Sequence, residues 1–208
     1  MTRTIKSVEN ATELVEHLQR LDSGTVSELA EASGLAAGTV HAHLIIEHDG
    51  HLFSLYERFG EKAVGVEYHD RKREQPLNHL HCTAAGKAIL SQLPESDVRE
   101  ITTERGVPQN TEHTITDVEE LIEELAVVRD RGYAFADEEQ MSGIRALGAP
   151  VTPAGERVAG AIAVSGPTSR LKNETFREEL PDLVVEAANI CEVNLHTIRT
   201  QSLEGTPG

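Results

Sequence analysis

The chain has 208 residues, a formal net charge of −16 at pH 7, two cysteines and no tryptophan. It contains no apolar run of the roughly 18–20 residues that a membrane-spanning helix needs, and it opens on a polar stretch rather than a signal peptide. We therefore expect a cytoplasmic protein with no membrane partner. Cys82 and Cys191 lie far apart in the sequence, so neither a metal site nor a disulfide framework is predicted, and no cofactor is expected.

The acidic residues are spread along the whole chain and do not form a tail. A diffuse negative surface keeps a protein soluble and repels DNA at ordinary salt. It also suits a very salty cytoplasm, because dissolved ions screen the repulsion between the charges. The alternative is an ordinary acidic protein.

The first part of the chain, residues 1–44, has the organisation of a helix-turn-helix. Apolar residues recur at helical spacing through residues 7–21, and Thr25 with Glu28 forms a capping box that begins a second helix. A glycine turn follows, and a third short helix is predicted over residues 37–44. Small helical bundles of other kinds share this pattern.

The remainder of the chain alternates predicted strands and helices, which indicates an α+β domain with a mostly antiparallel sheet. A β-hairpin is predicted around the Asp49-Gly50 turn. Thr116 and Glu119 form a second capping box, which begins a helix that stops at Gly132. The other predicted strands cover residues 62–69, 133–136, 144–152 and 157–166; the other predicted helices cover residues 83–93 and 95–104 and a C-terminal segment with Pro181 in its first turn.

The stretch HLHCTAAGKAIL, residues 79–90, is the strongest local signal. It lacks the earlier glycine and the hydroxyl after the lysine that a Walker phosphate loop needs. A catalytic Cys82 would need a facing base and an orienting group, and no further residues support one, so no catalytic residue and no enzyme is predicted. The small residues Thr83–Gly86 fit a helix start whose free N–H groups bind a carboxylate or phosphate. A plain capped helix is the commoner structure for such residues.

Several motifs together resemble the IclR family of transcriptional regulators. They are IKSVENATELVEHL, VSELAEASGL and TVHAHL in the helix-turn-helix, and then LHCTAAGKAIL, TITDVEELIEELAVVRDRGYAF, Glu138-Glu139, GAPV and IAVSGPTSRL. The resemblance covers nearly the whole chain. It implies a helix-turn-helix DNA-binding module over residues 1–44, incomplete because it lacks the family's wing, a GAF-like effector-binding domain over residues 45–200, and a homodimer or homotetramer. Residues 201–208 are predicted to be a disordered tail.

The chain departs from the family pattern in its DNA-binding module. About fifty residues, corresponding to the wing, the linker helix and the first part of the sensor domain, are missing after TVHAHL relative to the usual family length and domain sizes. The positions where the family's recognition helix carries a cation, a serine and a second cation match Ala37, Gly38 and Ala42. The remaining candidate DNA contacts are Thr39, His41 and His43. Weak DNA binding is therefore expected.

The resemblance also implies an effector site for a small organic acid. The backbone N–H donors of the family match Ala84 and Ala85 at the helix start that follows Thr83. The family's Asp, Cys and two Ser side chains match Ala136, Ala146, Ala163 and Ser165, so only Ser165 keeps a polar group. This favours a larger or more apolar acid, or no ligand. The predicted function is that of a DNA-binding, acid-sensing regulator. The alternative is a degenerate ligand-binding or dimerisation module that no longer binds DNA specifically.

Overall fold

The computed structural model describes residues 41–48, 51–58, 79–152 and 157–204. Its centre is a five-stranded sheet in the order β2-β1-β5-β4-β3, in which every neighbouring pair is antiparallel. The strands are β1 (His41–His48), β2 (His51–Arg58), β3 (Ala134–Asp137), β4 (Ile144–Val151) and β5 (Gly160–Pro167).

Helices cover both faces of this sheet. They are α1 (Ala84–Leu90), preceded by the 3₁₀ turn Leu80–Cys82, then α2 (Glu95–Arg105), α3 (Val118–Arg131) and α4 (Leu180–Glu204), which follows the π-helical turn Thr175–Glu179. The predicted α+β fold with an antiparallel sheet is confirmed. Among the described helices, none is long and apolar enough to cross a membrane.

The two faces of the sheet differ in what they bury. On the α4 face, large residues of β4 and β5 pack against Phe176 and α4; the strand residues are Leu147, Val151, Ile162 and Val164. On the opposite face, here called the α1 face, the buried strand residues are alanines, which pack against α1 and α3; these are Ala134, Ala161 and Ala163. The alternation of side chains along each strand separates the two sets.

The third helix predicted for residues 37–44 is wrong from residue 41 onward. His41–His48 form strand β1, which pairs with β2 on one side and β5 on the other. The physical reason is tertiary. HAHLIIEH joins an antiparallel sheet, and two ladders of backbone hydrogen bonds outweigh the weak helical pattern of a short segment.

Most of the other predicted elements are found. The hairpin strands flank the predicted turn, and α1, α2, β3, β4 and β5 lie within a few residues of their predicted bounds. The predicted tail is wrong for residues 201–204, because α4 continues to Glu204. The helices predicted before residue 37, the strand over residues 62–69 and residues 205–208 lie outside the described residues.

Helix α3 begins one residue later than the predicted capping box. Its N-cap is Asp117, whose Oδ1 accepts hydrogen bonds from the backbone N–H groups of Glu119 and Glu120 at 2.9 and 3.0 Å. A carboxylate at this position also interacts favourably with the helix dipole, so Asp117 replaces Thr116 as the cap. The predicted stop at Gly132 is confirmed, since this glycine has a φ of 83° at the C-cap.

Candidate functional site

The start of α1 is a tightly packed backbone turn. Thr83 is its N-cap, and the Thr83 Oγ1 accepts a hydrogen bond from the Gly86 N–H at 3.1 Å. A side chain at Gly86 would meet the backbone of Leu80, so the glycine lets the 3₁₀ turn fold against the helix. Within the described residues, no group accepts a hydrogen bond from the N–H of Ala84 or Ala85. These two N–H groups are the donors that the sequence analysis predicted to bind a carboxylate.

Gly148 of β4 brings this helix start down onto the sheet. A Cβ at Gly148 would lie 2.9 Å from the carbonyl carbon of Ala84 and 3.0 Å from the backbone nitrogen of Ala85. Real Cβ atoms do not come so close to backbone atoms, so a residue with a side chain would push α1 away from β4. The absence of a side chain at Gly148 therefore places the Ala84 and Ala85 backbone directly above the α1 face.

The four predicted side-chain positions of the effector site lie on this same face. Ala136 pairs with Ala146, and Ala146 pairs with Ser165, so these residues form a row across β3, β4 and β5. Ala163 pairs with Gly148 in the adjacent row, directly beneath the start of α1. Directly paired residues point to the same side of a sheet. The structure thus brings together the seven predicted effector positions, and their binding of an effector remains a prediction.

This face is closed at one end and more open at the other. Ala161 is fully buried and Ala163 is 5% exposed, whereas Ser165, further along the same strand, is only half-buried. Ala146, which pairs with Ser165, is half-buried as well. A small molecule would therefore meet Ser165 and Ala146 at the accessible end and the alanine-rich floor behind them.

A buried ion pair lies beside the site and was not predicted from the sequence. The Lys87 Nζ, on α1, donates to the Glu139 Oε1 at 2.7 Å and lies 3.4 Å from the Glu124 Oε1 on α3. Lys87 is 1% exposed and Glu139 is 8% exposed. Burial raises the pKa of Glu139, while the attraction of Lys87 opposes that rise. The only signal for this pair in the sequence was a charged residue inside the otherwise apolar AGKAIL helix.

The Glu139 carboxylate is held by an unusual backbone turn. Glu138 has a φ of 62°, and its own carboxylate accepts a hydrogen bond from the Gly143 N–H at 2.6 Å. The Thr114 hydroxyl donates to the Glu139 carbonyl at 2.6 Å. The Glu139 Oε2 has no hydrogen-bond partner in the described part of the chain. The loop between β3 and β4 is therefore fixed so that one carboxylate oxygen binds Lys87 and the other is left without a donor.

Cys82 lacks the properties of a nucleophile. Its side chain is buried, and burial raises the pKa of the thiol to about 11. The Asn110 Nδ2 donates to the Cys82 Sγ at 3.1 Å. The neighbouring His81 turns to the Pro108 carbonyl oxygen, 3.0 Å from its Nε2, and burial lowers the pKa of this imidazole. A buried thiol with a raised pKa stays protonated at neutral pH and is a poor nucleophile. Among the described residues, no cluster of three or more ligand-type side chains could hold a metal.

Comparison with known sequences identifies both parts of the chain. Residues 71–192 match the family described as bacterial transcriptional regulator IclR C-terminal, and residues 7–45 match the IclR helix-turn-helix domain. The first match alone covers more than half of the chain. The chain belongs to the IclR family. The members that it matches are transcriptional regulators rather than enzymes, in agreement with the prediction from the sequence.

Known relatives and structures support this membership. The probable HTH-type transcriptional regulator ArcR of Halobacterium salinarum is 48% identical over 168 residues, which is 80% of this chain and 64% of that protein. The chain therefore spans less than two thirds of this relative's length. A solved IclR transcriptional regulator of Silicibacter has the same fold, with a TM-score of 0.73 and 23% identity over 93% of this chain and 71% of its own.

A second similar structure contains a ligand. It is the inducer-binding domain of the PobR transcription factor of Acinetobacter, solved as a double mutant with 3-hydroxybenzoic acid. Its TM-score is 0.66 at 21% identity, and the match covers 79% of this chain and 91% of the domain. At this level of identity the likeness shows a shared fold.

The predicted DNA-contacting residues of this IclR-family chain are not on a helix where the structure describes them. His41 and His43 lie in β1, inside the ladder with β5, whereas Thr39 lies outside the described residues. A recognition helix that includes His41 and His43 is therefore wrong. The helix-turn-helix match runs to residue 45, so it overlaps β1 by five positions, 41–45. The chain thus passes from the end of that match directly into the effector-domain sheet.

Proposed function

We propose that this chain is a transcriptional regulator whose C-terminal domain binds a small organic acid on the α1 face. The observation that carries the proposal is the packing of Ala84 and Ala85 over Gly148, which sets two backbone N–H donors above a floor of small residues. A carboxylate accepts such donors well, and the dipole of a helix start favours its charge. Ser165 adds a hydroxyl at the accessible end.

A proline at position 85 tests the acid site. The substitution Ala85→Pro removes one N–H donor while leaving the alanine-rich floor in place. We expect the affinity for 3-hydroxybenzoate, measured by isothermal titration calorimetry on the full chain, to fall at least tenfold. Ser96→Pro is the matched control, because Ser96 occupies the same second position of helix α2 and is exposed. Equal affinities of the Ala85→Pro and Ser96→Pro variants would contradict the proposal.

We further propose that the chain binds DNA weakly and with little sequence preference. The matched helix-turn-helix carries Ala37 and Gly38 where relatives have polar contacts, and His41 and His43 belong to β1. Each lost bidentate base contact removes about 1–3 kcal/mol of discrimination, and each lost phosphate contact removes a counterion-release term. Residues 1–44 also carry more acid than base.

Fluorescence anisotropy decides between this proposal and its alternative, a ligand-binding or dimerising module that does not bind DNA. The native upstream duplex and a scrambled duplex are compared at two salt concentrations. Weak binding that falls with salt and differs little between duplexes supports the proposal. No binding at either salt concentration supports the alternative, and a nanomolar sequence-selective complex contradicts both.

Two properties of the whole chain complete the proposal. The first is a homodimer or homotetramer, which light scattering after gel filtration measures directly. The second is a requirement for high salt, because the net charge of −16 is dispersed and its repulsion needs screening. Circular dichroism should show a much lower melting temperature at about 0.1 M KCl than at about 3 M KCl. Equal melting temperatures would rule out the salt requirement.

A further inference from the structure

Lys87 is a buried cation whose charge is balanced mainly by one residue. In the described part of the chain, no other lysine or arginine is buried to the same extent. The Glu139 Oε1 lies 2.7 Å from the Lys87 Nζ, whereas the Glu124 Oε1 lies 3.4 Å away. That Glu124 oxygen is shared with Arg131, whose Nη2 is 3.0 Å from it. Glu139 therefore provides most of the negative charge that compensates Lys87.

The Lys87–Glu139 ion pair borders the proposed acid site on two sides. Lys87 lies three residues after Ala84 in α1, which is about 4.5 Å along the helix axis. Glu139 follows the end of β3, where Ala136 pairs with Ala146 on the α1 face. A negative charge bound beside the start of α1 would therefore interact with both members of the pair through a buried, weakly screening part of the protein.

The surroundings of the Glu139 carboxyl favour its neutral form. Its Oε2 is buried and has no hydrogen-bond partner among the described residues. Burial is the largest influence and raises the pKa of Glu139; the charge of Lys87 and the backbone of Asp137 oppose this rise, and the charge of Glu124 adds to it. The nearby Cys82 thiol is uncharged at neutral pH, because burial raises its pKa to about 11. A further negative charge close by would shift Glu139 towards protonation.

We propose that Lys87 supplies the positive charge for a carboxylate bound on the α1 face, and that Glu139 takes up a proton from solvent as the acid binds. The inference rests on the proposed acid site. The proton joins the Glu139 Oε2, and the Lys87 Nζ keeps its hydrogen bond to the Oε1. The charge of Lys87 then compensates the bound acid instead of Glu139. Because the complex holds one proton more than the free protein, acid binding tightens as the pH falls.

Isothermal titration calorimetry of the full chain with 3-hydroxybenzoate tests this coupling. Titrations in buffers with different ionisation enthalpies give the number of protons taken up per bound acid. Between about pH 6 and pH 8 the ligand stays ionised, because an ordinary carboxyl group has a pKa near 4. We expect the wild-type chain to take up a proton, in whole or in part, and its affinity to rise as the pH is lowered.

The variant Glu139→Gln separates this role from a structural one. Glutamine keeps the size of the side chain and an oxygen acceptor for Lys87, but it has no charge and takes up no proton. We expect no proton uptake on binding and, at about pH 8, an affinity roughly three- to tenfold higher than that of the wild type, since one like charge is gone. A residue that only holds the fold together would lower the affinity when it is replaced.

The matched control is Glu124→Gln, which removes the more distant and more exposed partner of Lys87 and should keep the proton uptake. Saturable binding to the wild type without proton uptake overturns the inference and leaves the acid site standing. Uptake that persists in Glu139→Gln, or weaker binding by that variant, also overturns it.

A second measurement needs no folded variant. In the wild type, the carboxyl carbon-13 signal of Glu139 should move towards its protonated position when 3-hydroxybenzoate is added, and an unmoved signal overturns the inference. If neither 3-hydroxybenzoate nor succinate binds the wild-type chain at about 10 mM, as an order-of-magnitude limit for weak binding, the acid site and this inference both fail.

Discussion

The two faces of the central sheet use the same strands for different purposes. On the α4 face, Leu147, Val164 and Phe176 are almost fully buried and fill the space beneath the long C-terminal helix. On the α1 face, Gly148 and Ala163 have little or no side chain, and the backbone of α1 comes down to the sheet. The comparison shows that the α4 face contributes mainly to stability. The α1 face has fewer side-chain contacts, and its small residues let the backbone N–H groups of α1 lie close to the sheet.

Removal of a large side chain from the α4 face should have the largest effect. Phe176→Ala would leave a cavity among Phe135, Leu147 and α4, because Phe176 is fully buried and its ring centroid lies 4.8 Å from that of Phe135. We expect the free energy of unfolding to fall by about 4 kcal/mol. Urea unfolding measures this change. A loss below about 1 kcal/mol, within the range of surface substitutions, would show that the face is not tightly packed.

The next effect concerns the buried ion pair beside the α1 face. Lys87→Met leaves the Glu139 carboxylate buried without its partner, so we expect a loss of about 3 kcal/mol at pH 7. Lys87→Met/Glu139→Leu should recover most of this loss. If the double variant is as unstable as Lys87→Met, the buried charge is not the cause.

The same variant has an expected pH dependence. Burial already raises the pKa of Glu139, and the loss of Lys87 removes the attraction that opposes this rise. A raised folded-state pKa means that the folded state holds a proton which the unfolded state releases, so the destabilisation is largest at pH above the folded pKa. The deficit of Lys87→Met relative to wild type should therefore shrink as the pH is lowered from neutral through the raised pKa of Glu139. A constant deficit would contradict this origin.

A methyl group at Gly148 should have a smaller effect on stability and a specific effect on the site. Gly148→Ala forces the start of α1 away from β4, at a cost of about 2 kcal/mol. It should also weaken the binding of 3-hydroxybenzoate, since Ala84 and Ala85 move. The control is Ala149→Gly on the α4 face, which should cost about 0.5–1 kcal/mol without changing acid affinity. Equal acid affinities in Gly148→Ala and Ala149→Gly would show that the α1 face has no specific role in acid binding.

The smallest expected effect tests how α3, which covers the α1 face, begins. Asp117→Ala removes a cap that accepts two backbone hydrogen bonds and should cost about 1 kcal/mol. Thr116→Ala should have almost no effect. If thermal unfolding shows a larger loss of stability for Thr116→Ala than for Asp117→Ala, the capping box predicted from the sequence is correct.

Local sequence patterns predicted most of the helices and strands, because backbone preferences of neighbouring residues determine where these elements begin and end. The Gly132 stop, the hairpin and the alternating strands each follow from backbone preferences within a few residues. The prediction failed at residues 41–44, where pairing with the distant strand β5 decides the conformation. The positions of the effector site came from the family resemblance. The Lys87–Glu139 pair joins residues 52 apart in sequence, so the local pattern showed a lysine in an apolar helix but could not reveal its partner.

Alanine methyl groups on the two faces permit the most direct test of the acid site. With alanine methyl carbons labelled, two-dimensional NMR follows Ala136, Ala146 and Ala163 on the α1 face and Ala149, Ala187 and Ala188 on the α4 side of the sheet. During a titration with 3-hydroxybenzoate, and with succinate as the second probe, the α1-face methyl signals should shift while the α4-side signals remain in place. Shifts confined to the α4 side, or no saturable shift with either acid, would contradict the account.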